Sequence, residues 1–210
     1  MLKNKFLLSF VLTLFSVMLC VTAHAVPQND PVELLKSVAN NMINGLKENK
    51  ANLKTKPQVV YDLANKYVVP YADLPAMAKS VLSPSVWNGA SQEQRKKFED
   101  EFTTTVIRTY ASALSNYQDQ TIQFYPVRGD YQNAKTVEVS SEINSSHGDP
   151  IHVSYRLMHV GSVWRLYDLS VEGVDMLDSF REQFADIIAQ GDMNLLIQRM
   201  AEHNSGRNNS

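Results

Sequence analysis

Residues 163–177 read VWRLYDLSVEGVDML, which begins as a strand and ends as the start of a helix. Alternation through Val163–Val171 has a period of two, and Glu172-Gly173 interrupts it. After Val174 the apolar residues fall at helical spacing, out to about Gln190. Three strand-like runs precede this stretch: Thr121–Val127, Thr136–Ile143 and Ile151–Val160. Arg128-Gly129-Asp130, His147-Gly148-Asp149-Pro150 and Gly161-Ser162 supply turn residues between them. Links this short predict an antiparallel meander of four strands.

Upstream of the strands the period is that of a helix. Asp30-Pro31 opens the first helix as cap and first turn, with Val32, Leu35, Val38, Met42 and Leu46 as its apolar stripe. A second helix is expected over Pro57–Val68, stopped by Pro70, and a third over Tyr71–Leu82, capped by Asp73 and ended by Ser83-Pro84. Ser91 and Gln94 form a capping-box pattern that opens the longest helix, to about Tyr117, along Phe98, Phe102, Val106 and Tyr110. Its weak point is Thr103-Thr104-Thr105, because β-branched residues favour strand. Gly191 and Asp192 separate the helix that follows the strands from a last short one, and the end from His203 is polar and expected to fray. Helices, then strands, then helices, without repeat or linker, predict one α+β domain over 26–203 with a flexible tail at 204–210.

The first 25 residues are excluded from that domain. Lys3 and Lys5 precede an apolar run, Phe6–Val21, which ends at the small-x-small site Ala23-His24-Ala25. These are the three parts of a cleavable secretory signal, and the run is shorter than the roughly 20 residues a membrane span needs. Removing the two leader lysines from 20 basic residues leaves 18 against 22 acidic, a formal −4. Cleavage also removes Cys20, the only cysteine, so the exported chain must rest on its hydrophobic core. No basic block is seen along the chain, so a nucleic-acid partner has no electrostatic footprint.

Few residues suggest chemistry. There is no Gly-rich phosphate loop, no zinc-ligand spacing and no nucleophile elbow. His152 and His159 are an odd number of residues apart, so on one strand they face opposite sides and make a geometrically poor metal pair. Tyr167 and Asp168 suggest a proton-transfer pair of the isomerase or dehydratase kind, but neighbours on a strand point to opposite faces. Glu172 and Asp175 flank Gly173, where turn-forming and capping acids belong. No catalytic residue is assigned, and no metal or cofactor is expected.

Taken together, Trp164-Arg165-Leu166-Tyr167-Asp168 followed by Glu172-Gly173-Val174 resembles the W-x-x-Y-D…E-G-V signature of the MlaC family. Val69-Pro70-Tyr71, Ser91–Arg95 with Phe98, and Thr109-Tyr110-Ala111 with Leu114 resemble further parts of its pattern, in the same order. Asp175 departs from it, since a small hydroxyl residue commonly follows E-G-V. The resemblance implies a periplasmic phospholipid-binding protein, a class also described as toluene-tolerance proteins. Such a protein moves lipids between the outer and inner membranes with the acyl chains in a hydrophobic cavity between sheet and helices. It implies two docking partners, an inner-membrane ABC lipid transporter and an outer-membrane lipoprotein–porin complex. Phospholipid is then cargo rather than cofactor, and the carrier is expected to be a monomer. A small enzyme of similar cone shape and a ligand-free adaptor are the alternatives.

Periodicity converts that implication into candidate lipid-binding residues. Tyr71, Leu74, Met77 and Val81 would line one wall from the third helix, and Phe102, Val106 and Tyr110 another from the long one. Val153, Tyr155 and Leu157 share one face of the third strand, and Tyr167, Leu169 and Val171 one face of the fourth. Trp164 and Leu166 are then expected on the opposite face. Val174 is expected at the pocket, where strand gives way to helix.

Overall fold

The computed structural model describes residues 26–146 and 148–206; the expected leader, His147 and 207–210 lie outside them. The helical layer comprises α1 (Pro31–Glu48), α2 (Gln58–Tyr67), a 3-10 turn at Val69–Tyr71, α3 (Leu74–Val81), α4 (Pro84–Gly89) and α5 (Gln92–Ser115). The strands are β1 (Thr121–Phe124), β2 (Thr136–Asn144), β3 (Ile151–Val160), β4 (Val163–Val171) and β5 (Val174–Asp175). The chain closes with α6 (Met176–Gln183), α7 (Ala185–Gln190) and α8 (Met193–Asn204). The sheet is antiparallel throughout, in the order β1-β2-β3-β4-β5.

The capping expectations hold in atomic detail. Asp30 accepts from the amides of Val32 and Glu33 at 2.9 Å, and Ser91 and Gln94 close a reciprocal capping box. Thr103, Thr104 and Thr105 stay helical, each hydroxyl donating to the carbonyl four residues earlier. Four details differ from the sequence reading. Ser83-Pro84 does not simply end a helix: Ser83 caps α4 and Pro84 is its first residue, the position proline tolerates best. The third helix is shorter than Tyr71–Leu82, because Tyr71 belongs to the 3-10 turn and Asp73 caps α3. The helix expected from Val174 is two helices broken at Phe184, and it is preceded by a fifth strand, so four strands become five. Asn204 is not part of a loose tail; its amide donates to Glu101, and Arg108 donates to its carbonyl at 2.9 Å.

The fifth strand follows from Glu172-Gly173. Both have positive φ, 51° and 79°, the backbone of a two-residue I′ hairpin turn. Glycine takes that conformation freely, whereas glutamate does so under strain. Two bonds to β3 hold it: the Glu172 amide donates to the His152 carbonyl at 2.9 Å, and its carboxylate accepts from the His152 amide. The E-G pair of the opening stretch is therefore the turn that folds β5 back on β4.

A β-bulge changes which residues share a face. Arg156 pairs with Asp168 but Leu157 pairs with Leu166, leaving Tyr167 as the extra residue of β4. Trp164 and Leu166 were expected opposite Leu169 and Val171. The bulge shifts the phase by one, so all four lie on the face of Val153, Tyr155 and Leu157. The free edge of β4 is closed in pieces: Trp164 donates to the Gln28 carbonyl at 2.8 Å, and Asp73 to the Leu166 carbonyl at 2.7 Å.

Candidate functional site: the exposed end of the sheet

Apolar side chains form three packed clusters that do not fuse. The first joins α3, α5, α6 and α8 through Met77, Val81, Phe98, Phe102, Phe180 and Leu196. The second joins α1, α2 and the end of α5, through Leu46, Val60 and Leu63. The third presses Leu34 and Leu35 of α1 onto Val137, Val139, Leu157 and Trp164. α1 lies on β1 and β2 and reaches Leu157 of β3, while α3, α6 and the 3-10 turn lie on β4. α5 rests on α2, α3 and α8.

Apolar residues are exposed at one end of the sheet, where β3 begins and β5 lies. Val153 is buried yet belongs to none of the clusters, and Ile143 and Val171 beside it are half-buried. Ile151 and Val174, at the same end of the sheet, are 43% and 64% exposed. Burial pushes the Tyr155 phenol up, partly countered by Ser141 at 3.3 Å, yet part of the residue remains accessible. Burial also raises the Tyr110 phenol, helped by the Asp168 charge.

The candidate residues distribute over this architecture as follows. Met77, Val81 and Phe102 are buried in the first cluster, and Leu74, Val106, Tyr110, Tyr167 and Leu169 pack against it. Leu157 is buried in the third cluster with Tyr71 and Tyr155 against it. Val153 and Val171 border the open end of the sheet, and Val174 stands outward on β5. A separate groove of about 760 Å³ runs outside the clusters, between α3 with the start of α4 and α6–α7. Of the candidates only Val81 borders it.

The carboxylates of the opening stretch have structural partners. Asp168 is 4% exposed; one oxygen accepts from the amides of Leu169 and Leu177, the other from Arg156 at 2.7 Å. It thereby caps α6 from the neighbouring strand, since Asp175 at the cap position makes no capping bond. Asp175 instead takes the other Arg156 nitrogen at 2.8 Å. Burial pushes the Asp168 carboxyl up despite these donors. At Arg156 burial pulls the other way, and the Asp175 bond with the nearby carboxylates leaves its guanidinium raised. The two directions agree once exposure is compared: Asp168 is nearly enclosed, whereas the Arg156 side chain is 37% exposed and loses less water. Sequence reasoning missed Arg156, although an arginine among Glu138, Asp168 and Asp175 on the polar face of adjacent strands was the available signal. Among the described residues no group of three or more His, Cys, Asp or Glu is placed to hold a metal. His159 lies flat on Trp164, ring centres 3.7 Å apart, and His152 stands exposed near Glu142.

This is an α+β protein in which a helical layer packs on a five-stranded antiparallel sheet. Comparison with known proteins gives the class its family. The MlaC protein family's profile matches residues 36–202; the chain belongs to the MlaC family. It is 28% identical over 156 residues to toluene tolerance protein ttg2D of Pseudomonas putida, covering 74% of this chain and 72% of that protein. It is 27% identical over 199 residues to the intermembrane phospholipid transport system binding protein MlaC of Haemophilus influenzae, covering 93% and 90%. Among solved structures it superposes with a TM-score of 0.78 on a phospholipid-binding protein from Ralstonia solanacearum, solved in complex with a phospholipid. That pair is 28% identical, and the alignment covers 85% of this chain and 98% of the other.

Proposed function

We propose that this protein is an exported periplasmic carrier that holds a phospholipid by its acyl chains and moves it between the outer and inner membranes. The observation that carries the reading is the likeness, over 98% of its length, to a structure with phospholipid bound. The exposed apolar end of the sheet, at Ile151 and Val174, supports it. Two acyl chains carry on the order of 30 methylenes, and at about 0.8 kcal/mol each their exposure to water would cost more than ~20 kcal/mol. A carrier must therefore enclose nearly all of both tails. The lipid's other home is a bilayer, where the tails are equally dry, so loading and unloading need no energy source within the carrier. Direction is then set by its docking partners, an inner-membrane ABC lipid transporter and an outer-membrane lipoprotein–porin complex, which it visits as a monomer. Neither relative's name is that of an enzyme, and the Asp168 oxygens already serve α6 and Arg156. We assign no catalytic residue.

The test is a native mass spectrum of the protein exported with its own leader and purified without detergent. A mass excess equal to one or more phospholipids, confirmed in the organic extract, is the expected result and also counts them. A bare protein mass that liposomes do not change removes the carrier reading.

A further inference from the structure

The groove between α3 and α6–α7 offers charged groups that the exposed apolar end of the sheet, at Ile151 and Val174, lacks. Its floor, Val81 and Leu82, belongs to the first core cluster, and Ala185 and Ile188 form the facing wall. Lys79 borders it from α3 and Arg181 from α6, and no carboxylate lies among the lining residues described. Arg181 reaches across to donate to the Ser80 carbonyl at 3.0 Å, and its other nitrogen pairs with Asp178 on its own helix. A volume of about 760 Å³ is in the range of pockets that hold small amphiphiles. Two cations beside an apolar floor complement an anionic group attached to hydrocarbon.

We propose that this groove seats the phosphate end of a bound phospholipid, with Lys79 and Arg181 as its ligands, and that the acyl chains pass inward between α3 and α6. The proposal rests on the carrier reading above. Arg181 is half-exposed, so exchanging the Ser80 carbonyl for a phosphate oxygen costs little desolvation. Behind the floor lie Met77 and Met176, flexible side chains that repack around an irregular chain.

The experiment places a nitroxide on Ala189→Cys, an exposed residue of the groove, in a Cys20→Ser background, and records phosphorus NMR of the co-purified lipid. Lys50→Cys, on the loop after α1, carries the control label. The expected result is a bound-lipid phosphorus signal broadened away by the label at 189, sharp with the label at 50, and restored when the nitroxide is reduced. A signal untouched by the label at 189 overturns the groove as headgroup seat while leaving the carrier intact. An unlabelled protein without any bound phosphorus signal overturns the carrier reading itself. Lys79→Glu with Arg181→Glu should lower retained lipid tenfold or more, and Lys50→Glu should leave it unchanged. Retention of the parent's full lipid content by the double variant also overturns the proposal.

Discussion

The two ends of the sheet face are built from similar residues and packed differently. At the Trp164 end, Leu34 and Leu35 close over Val137, Val139 and Leu157, all of them at most 9% exposed. At the Val153 end, Ile143 and Val171 are half-buried and Ile151 and Val174 exposed, though equally apolar. A protein that only needed to fold would cover both ends. One end is a closed core, and the other leaves Ile151 and Val174 exposed, the surface that the carrier reading assigns to lipid.

Truncations test that contrast most strongly. Trp164→Ala should cost about 3–5 kcal/mol, since it removes a fully enclosed ring stacked on His159. Ile151→Ala, at the other end and 43% exposed, should cost no more than about 1 kcal/mol in lipid-free protein, and more in loaded protein. Denaturant melts of both forms measure it; equal losses for the two variants would abolish the distinction between the ends. Asp168→Ala comes next, at about 2 kcal/mol, because it leaves the Leu177 amide without its acceptor and Arg156 short of one carboxylate. The same melts, with turnover assays on small carbonyl substrates, separate a structural loss from a catalytic one. Val174→Glu should change stability by less than about 0.5 kcal/mol, since the residue is 64% exposed, yet it should eliminate bound lipid. Full lipid content in that variant would remove Val174 from the binding surface.

The smallest effect is one of pH. Burial raises the Asp168 carboxyl above its ordinary range, so the folded state holds that proton more tightly than the unfolded chain does. Its contribution to stability is complete below the ordinary carboxylate pKa and is lost as pH rises through the folded one. Relative to Asp168→Asn, the parent should therefore lose stability as pH rises above the ordinary carboxylate range. A difference that instead grows with pH would mean that Arg156 and the two amides outweigh burial.

Much of the architecture was legible because it depends on local signals. Asp30-Pro31 and Ser91 with Gln94 act within one helical turn, so their caps form as read. The bounds of β3 and β4 follow from period-two alternation closed by Gly161-Ser162. Where two local readings competed, the sequence was ambiguous. Ser83-Pro84 suits the end of one helix and the start of another, and here it starts α4.

What the sequence by itself determined is the α+β class, the strand and helix order, the family resemblance and most of the apolar inventory, all of which follow from neighbours in the chain. Only the tertiary structure decided which apolar residues became core and which remained available. The bulge at Tyr167 brought Trp164 and Leu169 onto one face, and alternation cannot reveal an unmatched residue without the partner strand. Arg156 likewise acquired its role from Asp168 and Asp175, 12 and 19 residues away. Lys79 and Arg181 border one groove because α3 and α6 pack side by side, 102 positions apart in the chain. Such contacts are fixed when whole elements dock, after every local preference has already been satisfied.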